Sequence, residues 1–358
     1  GFIVDNSRVG FRVRLIQTVI HSISWLLLSY SLEKLYSRNL IRLLILIAIG
    51  LIAFSPPVYY WNYVVMSESI AISLTVVLVG LMILNAQKFQ WHQFYLIILV
   101  QIFWLNVRES NNLLSLFLIP CFIGLGLITK NRMKYFIISL LVIIFAFITS
   151  QISETRNRWA IPLVNVVYQR VLPDNHLLEF FTDKGMPLTS AVMEKKYSWA
   201  CSPECPYSNP ALSRFWEWIR LDGKRVYIQS MIAFPLKFIT EPILYFREIT
   251  GRIAFNKISL LESHFWNLFL FKDWGIFLLV FSLIIGVLLL LRKQKSDGSG
   301  LFVLAFLSFW IYPISYISYH GDAMEVARHS LQASVLLRVV FWSILFFLID
   351  QNMKSNSN

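Results

Sequence analysis

Charge is scarce in this chain: Asp, Glu, Lys and Arg make up 15% of its 358 residues, where soluble domains carry roughly a quarter. Length alone would point to two soluble domains, but so little charge beside so much apolar surface overrides that expectation. Cysteine is nearly missing, with three residues in all. Acids are the minority among the charges, 20 against 32 Lys and Arg, for a formal net charge of +12. Several signatures are absent outright: a Gly-rich phosphate loop closed by Lys and Ser/Thr, a Gly-x-Ser-x-Gly elbow, and a His-Glu-x-x-His pair. Their absence argues against transport driven by a nucleotide on this chain and against the hydrolases those motifs mark.

What is present is hydrocarbon. Hydrophobic residues make up 57% of the chain, with 29 Phe, 15 Tyr and 12 Trp. Nine apolar segments emerge: Val13–Tyr30, Ile41–Tyr59, Val64–Leu84, Phe94–Leu105, Leu113–Ile128, Tyr135–Ser150, Trp274–Leu291, Leu301–Ile317 and Leu331–Ile349. One such run could be a buried helix of a soluble core; nine, mostly under a dozen residues apart, predict an all-α polytopic membrane bundle of about nine spans. The expected division is 1–150 for the first helices, 151–273 for a large, mostly helical loop, 274–350 for the last helices and 351–358 for a tail.

Alternate short loops differ in charge. One set holds Lys34, Arg38 and Arg42, then Lys88, then Lys130, Arg132 and Lys134, then Arg292, Lys293 and Lys295, then Lys354. The other set has few cations, so the first is expected on the cytoplasmic side and the large loop on the periplasmic or extracellular side. That parity sets the two termini on opposite sides of the bilayer. The chain opens Gly1-Phe2-Ile3-Val4-Asp5 without Met, and a preceding span is expected. In a soluble protein the positive balance would raise nucleic acid as a partner. Here membrane lipids and a phosphorylated lipid are the expected partners, and nucleic acid is not. Nothing in the sequence reports an oligomeric state.

Within 151–273, Pro162, Pro173, Pro187, Pro203, Pro206 and Pro210 punctuate short elements. Helices lying at the interface are expected there, with Val226–Thr240 alternatively a re-entrant segment. Cys201 and Cys205 in Cys-Ser-Pro-Glu-Cys leave a disulfide open in an outer compartment, and a zinc site lacks two further ligands nearby. Cys121 reads as an apolar filler.

Ionisable groups beside hydrocarbon are costly and mark function. Glu68 opens the third run in Met66-Ser67-Glu68-Ser69. Arg108 and Glu109 lie in Asn106-Val107-Arg108-Glu109-Ser110-Asn111-Asn112, and Asp322, Glu325, Arg328 and His329 precede the last run. Two readings stand. The plain one is that Arg108–Glu109 and Glu325–Arg328 are local ion pairs and Glu68 caps its helix. The functional one gathers these groups in one wet cavity. Arg108, Arg328, His329 and Glu325 would then bind substrate phosphate, and Glu68, Glu109, Asp322 or Asp5 would act as catalytic acid or base. Arg170 and His176 in the loop are further candidates for the pocket. Trp61, Trp104, Trp199, Trp216 and Trp218 are candidates either for stacking on sugars or for an interfacial belt.

The pattern resembles the GT-C class of multi-spanning membrane glycosyltransferases. The residues that carry the likeness are Pro56-Pro57, then Ser67-Glu68-Ser69 at the start of a span, then Arg108-Glu109-Ser110-Asn111 two spans later. The large outer loop and the Gly321-Asp322…Glu325…Arg328-His329 segment add to it. The resemblance implies transfer of a sugar from a polyprenyl-phosphate lipid to a glycan, lipid or protein acceptor, on the outer face of a bacterial inner membrane. In that class the catalytic acid lies in the first outer loop, where Asp5 is this chain's only acid. No cofactor is expected; a divalent cation would suit the phosphate chemistry, but no assembled metal site is legible. Two other functions share these features: a polymerase or ligase joining lipid-linked glycans, and a flippase or transporter, which would need polar residues through the bundle. A scaffold whose loop binds a partner is the non-catalytic alternative.

Overall fold

The computed structural model describes residues 8–64, 67–108, 110–129, 131–155, 157, 159–251, 264–271, 273–291, 299–324 and 326–355. The described residues form helices joined by turns, with no strand among them. The apolar runs become α1 (Arg8–Glu33), α2 (Asn39–Ala53), α3 (Ser67–Gln87), α4 (Trp91–Val107), α5 (Ser110–Ile128), α6 (Arg132–Thr155), α7 (Gly275–Leu291), α8 (Ser299–Gly321) and α9 (Leu331–Ser355).

Six of these, α1, α3, α5, α6, α8 and α9, are long and apolar enough to cross a membrane. The count of nine is not reached by length. α4 and α7 are 17 residues each, at the lower limit of about 17 to 25 that spans a bilayer core. The second run breaks where Pro56-Pro57 starts a new helical turn, and the chain bends 51° between Asn39–Ala53 and Pro56–Asn62. If that bent pair is one span, the number is seven. Outward faces are greasy: Leu26, Met133, Phe136 and Phe147 all stand exposed. Apolar surface this extensive suits lipid and not water.

Two helices occupy the centre. In α3 and α9, 78% of the most apolar window is buried within the protein, against 22% for the peripheral α6. A helix apolar on every side needs neighbours on every side.

One end of the bundle gathers the ends or starts of α1, α2, α3, α4, α6, α8 and α9. There the Asp350 carboxylate on α9 accepts from the Ser37 hydroxyl at 2.9 Å and from the Ser37 and Arg38 amides. Tyr135 donates to Asn85 at 2.8 Å, and Lys134 lies over the Phe89 and Trp91 rings. The described cations of the Lys-rich set, Lys34, Arg38, Arg42, Lys88, Arg132, Lys134 and Lys354, all belong to this end. Arg12 and Arg14, on the first turns of α1, lie toward the other.

At that other end sits the loop, with an apolar core of its own built from residues including Val164, Tyr168, Phe181, Phe215, Ile219 and Val226. Val226–Thr240 folds as two short helices, Lys224–Ala233 and Pro235–Leu244. The Phe234 backbone leaves the helical region ahead of Pro235, as the proline ring requires. Ile232, Leu236 and Leu244 project outward, the face expected of helices lying at an interface. Cys201 and Cys205 are joined by a disulfide, and Cys121 is buried.

α9 anchors the chain leaving this loop. The helix Phe246–Gly251 ends with carbonyls that have no partner within it. Ser330 donates to Ile249 O at 2.7 Å, Ser334 to Thr250 O at 2.9 Å, and Arg338 to Thr250 O at 2.9 Å and Leu270 O at 2.8 Å. Ser330, Ser334 and Arg338 recur every fourth residue on one face of α9 and replace the missing helical donors. Gly275 is required beside them, since a Cβ there would stand 2.1 Å from the Thr250 hydroxyl. Replacing Arg338, 3% exposed, by Met should strip buried carbonyls of their donors and cost about 3 kcal/mol. Thermal unfolding in detergent should show the fall, with Arg338→Lys recovering part of it.

Candidate functional site

Four chain segments converge where α3 and α9 begin and α4 and α8 end. Glu68, in the first turn of α3, is 3% exposed. Its Oε1 lies 3.3 Å from Nε of Arg328. Arg108 follows α4 in extended conformation, and its carbonyl accepts from the Asn111 amide at 3.0 Å, so α5 starts almost at once. Asn111 donates through Nδ2 to Trp104 O at 2.7 Å and seals the last turn of α4. This sharp reversal aims the Arg108 side chain at the turn before α9. Its guanidinium donates to His329 Nδ1 and, at 3.4 Å, to the His329 carbonyl, which also accepts from Ser318 at 3.0 Å.

The other face of the His329 ring meets an acid. Nε2 lies 3.5 Å from Asp322 Oδ2 and 3.3 Å from Arg328. Asp322 is fixed in turn: Oδ1 accepts the Met324 amide at 2.8 Å, a turn its short side chain favours, and Asn165 Nδ2 at 3.1 Å. Asn165 reaches in from the loop core, where its own Oδ1 accepts the Ala200 amide at 2.8 Å. Asp322 and His329 side chains are each 18% exposed. The cluster therefore has an open lip and a closed floor at Glu68.

Burial pulls the Arg108 guanidinium below its ordinary value; Glu68 opposes this, Arg328 reinforces it and Asp322 opposes it. Arginine stays charged through such a change. Two cations and two carboxylates thus share a poorly hydrated pocket where electrostatic contacts act strongly. Below them, Thr75 Oγ1 accepts from Trp104 Nε1 at 2.9 Å and from Gln332 Nε2 at 3.2 Å. This buried node ties α3, α4 and α9 together roughly 10 Å beneath Glu68.

The structure thus brings together Glu68, Arg108, Asp322, Arg328 and His329 from the sequence-predicted set. Glu68 does more than sit at the start of its helix, because it pairs across the bundle. Asp5, Glu109 and Glu325 lie outside the described residues. His176 is exposed on the loop, and no side-chain contact joins it to the cluster among the described residues. Arg170 belongs to a neighbouring group. It stands on a π-helical turn, Val167–Val171, closed by Leu172 N to Val167 O at 2.9 Å. Its guanidinium lies 3.7 Å over the Tyr319 ring and donates to Tyr319 O at 2.5 Å. Trp61, Trp104 and Trp218 are buried, which removes them from both the sugar-stacking and the belt roles; only Trp199 and Trp216 keep accessible faces.

No family model, no curated protein and no solved structure matches the chain. The chemistry open to the site rests on its own groups. Among the described residues no three His, Cys, Asp or Glu side chains gather to hold a metal ion. Paired guanidiniums beside a buried carboxylate suit an oxyanion together with a proton transfer. Asn165, Arg338 and the Ser330–Ser334 pair were missed in the sequence. For Arg338 a signal existed, since it is the only Lys, Arg, Asp or Glu in the apolar run Leu331–Ile349.

Beside the cluster, Asp174 caps the helix Asn175–Asp183, accepting the Leu177 amide at 2.9 Å, and pairs with Lys237. Lys237 also lies 3.7 Å from Glu241. Burial pushes the Asp174 carboxyl up, but hydrogen bonds from Lys237 and Leu177 outweigh it and hold the group below its ordinary value. A lowered folded value stabilises at pH above the unfolded value, about 3.9, and is lost as pH falls through the folded one. Limited proteolysis of the loop in the full chain should therefore accelerate below about pH 4. Asp174→Asn should flatten that acid dependence, and Asp174→Ala should also cost about 1 kcal/mol for the lost cap.

Proposed function

We propose that this chain is an integral membrane glycosyltransferase of the GT-C kind. It moves a sugar from a polyprenyl-phosphate lipid to an acceptor on the non-cytoplasmic face. The observation that carries this reading is the convergence of Arg108, Arg328 and buried Glu68 at one mouth of an apolar bundle. The opposite mouth holds most of the short-loop cations and is the cytoplasmic one by charge bias. The cluster and the large loop then face outward, at a bacterial inner membrane, with α2, α4 and α7 completing a nine-crossing path.

In the reaction the acceptor oxygen attacks the anomeric carbon. The bond from that carbon to the phosphate oxygen breaks, and its electron pair leaves on the phosphate. Arg108 and Arg328 stabilise the negative charge that develops there. The hydroxyl proton passes to a carboxylate of the cluster, Glu68 or Asp322. The loop core, joined to Asp322 through Asn165, covers the mouth and limits water, which would otherwise compete as acceptor.

Binding of a polyprenyl monophosphate to purified protein in nanodiscs tests the reading. Arg108→Ala and Arg328→Ala should each weaken it about tenfold or more, the scale of a lost charge-assisted contact, without loss of the folded state. Unchanged affinity in both variants would take the phosphate away from this site.

A further inference from the structure

Glu68 is ion-paired through one of its two oxygens. One carboxylate oxygen faces Arg328 at 3.3 Å, while Oε2 is closed off from solvent and accepts no hydrogen bond among the described residues. A carboxylate has room for about four hydrogen bonds, and a buried acceptor left bare is costly. A bare donor stands nearby in the fold: Asn62 Nδ2 is buried without a partner among the described residues, and Asn62 Oδ1 accepts from Ser69, the residue next to Glu68, at 2.5 Å.

Charge balance adds a second constraint. The described groups of the cluster are two guanidiniums facing two carboxylates, so an entering phosphate meets cations that are already compensated. Glu68 and a phosphate would compete for one side of Arg328. A phosphate has more oxygens to offer a guanidinium fork and binds it in two-pronged fashion.

We propose that Glu68 is an internal stand-in for the lipid phosphate: the bound phosphate takes its place on Arg328, and the displaced carboxylate becomes the base for the acceptor hydroxyl. Asn62 Nδ2 supplies the hydrogen bond that receives the displaced group. The acceptor's O–H proton goes to Glu68, the new bond forms at the anomeric carbon, and the phosphate leaves with the electron pair of the broken bond. Without donor lipid the base stays locked on Arg328, so the empty site does not activate water. This inference rests on the glycosyl-transfer reading of the same site.

A double-mutant cycle separates the two. Affinities for a polyprenyl monophosphate, inorganic phosphate and an unphosphorylated polyprenol are measured on wild type, Glu68→Gln, Arg328→Ala and the double variant, with thermal unfolding as the check on folding. Glu68→Gln should bind the polyprenyl monophosphate about tenfold tighter than wild type, the gain from removing an internal competitor. The double variant should bind no tighter than Arg328→Ala alone. The polyprenol should be indifferent to both changes, and inorganic phosphate should follow the same order more weakly if the headgroup alone drives the exchange. If Glu68→Gln does not fold, Glu68→Asp, with a shorter reach to Arg328, should tighten binding in the same direction by a smaller factor. Affinity unchanged or weakened by the Glu68 variants, while Arg328→Ala still weakens it, overturns the stand-in and leaves the phosphate site standing. No binding of the polyprenyl monophosphate by wild type overturns both.

Discussion

The contact between Arg328 and Glu68 spans the start of α9 and the start of α3, the two helices most enclosed by the rest of the bundle. Each charge alone would be expensive in that setting, and removal of either partner leaves the other exposed to the full cost of its desolvation. The rest of the site is arranged around this pair. Arg108 closes it from α4, His329 separates the two guanidiniums, and Asp322 balances the ring from the end of α8. Because the groups come from four segments, the cluster ties the ends of those segments together at the mouth of the bundle.

The loop is part of this arrangement and not an appendage. Asn165 spends both ends of its amide, one on Asp322 and one on the Ala200 backbone, so the loop core and the charged mouth are joined through a single side chain. Arg170 makes a second join by lying on Tyr319 at the end of α8, and Tyr227 makes a third through the His320 carbonyl at 3.2 Å. A buried amide that loses one such bond leaves a polar group with nowhere to go. Three side chains thus join the loop to the end of α8 and the residue that follows it.

The membrane helices were legible because their signal is one-dimensional: a long apolar run with few charges is seldom anything but a helix in lipid. Lengths at the margin were not. The run Phe94–Leu105 and the Pro56–Pro57 break show that hydropathy sees composition while the backbone decides continuity. The same limit governs the site. The charges at Glu68, Arg108, Asp322, Arg328 and His329 stood out as costly, and the structure pairs Arg328 with Glu68 from a distant helix, a contact that sequence proximity did not suggest. Long-range pairing depends on how helix ends meet, which no local spacing encodes. The π-helical turn that lifts Arg170 has no sequence mark at all. Arg338 had a plain mark, as a lone cation in an apolar run, and its partners turned out to be carbonyls.

α9 unites these observations. Its N-terminal approach carries Arg328 and His329 at the charged mouth, and its next two turns carry Ser330, Ser334 and Arg338 against the chain leaving the loop. Gln332 meets the Thr75 node beneath the site, and Asp350 at the far end holds the turn between α1 and α2 through Ser37 and Arg38. These polar groups on an otherwise apolar helix find partners in several elements: the helix Phe246–Gly251, α3, and the turn between α1 and α2. A shift of α9 along its axis would break all of them together, since a hydrogen bond tolerates little lengthening. The helix thus sets the depth at which Arg328 meets Glu68. A polar stripe through an apolar core is in this protein the means by which a distant end of the bundle fixes the geometry of the site.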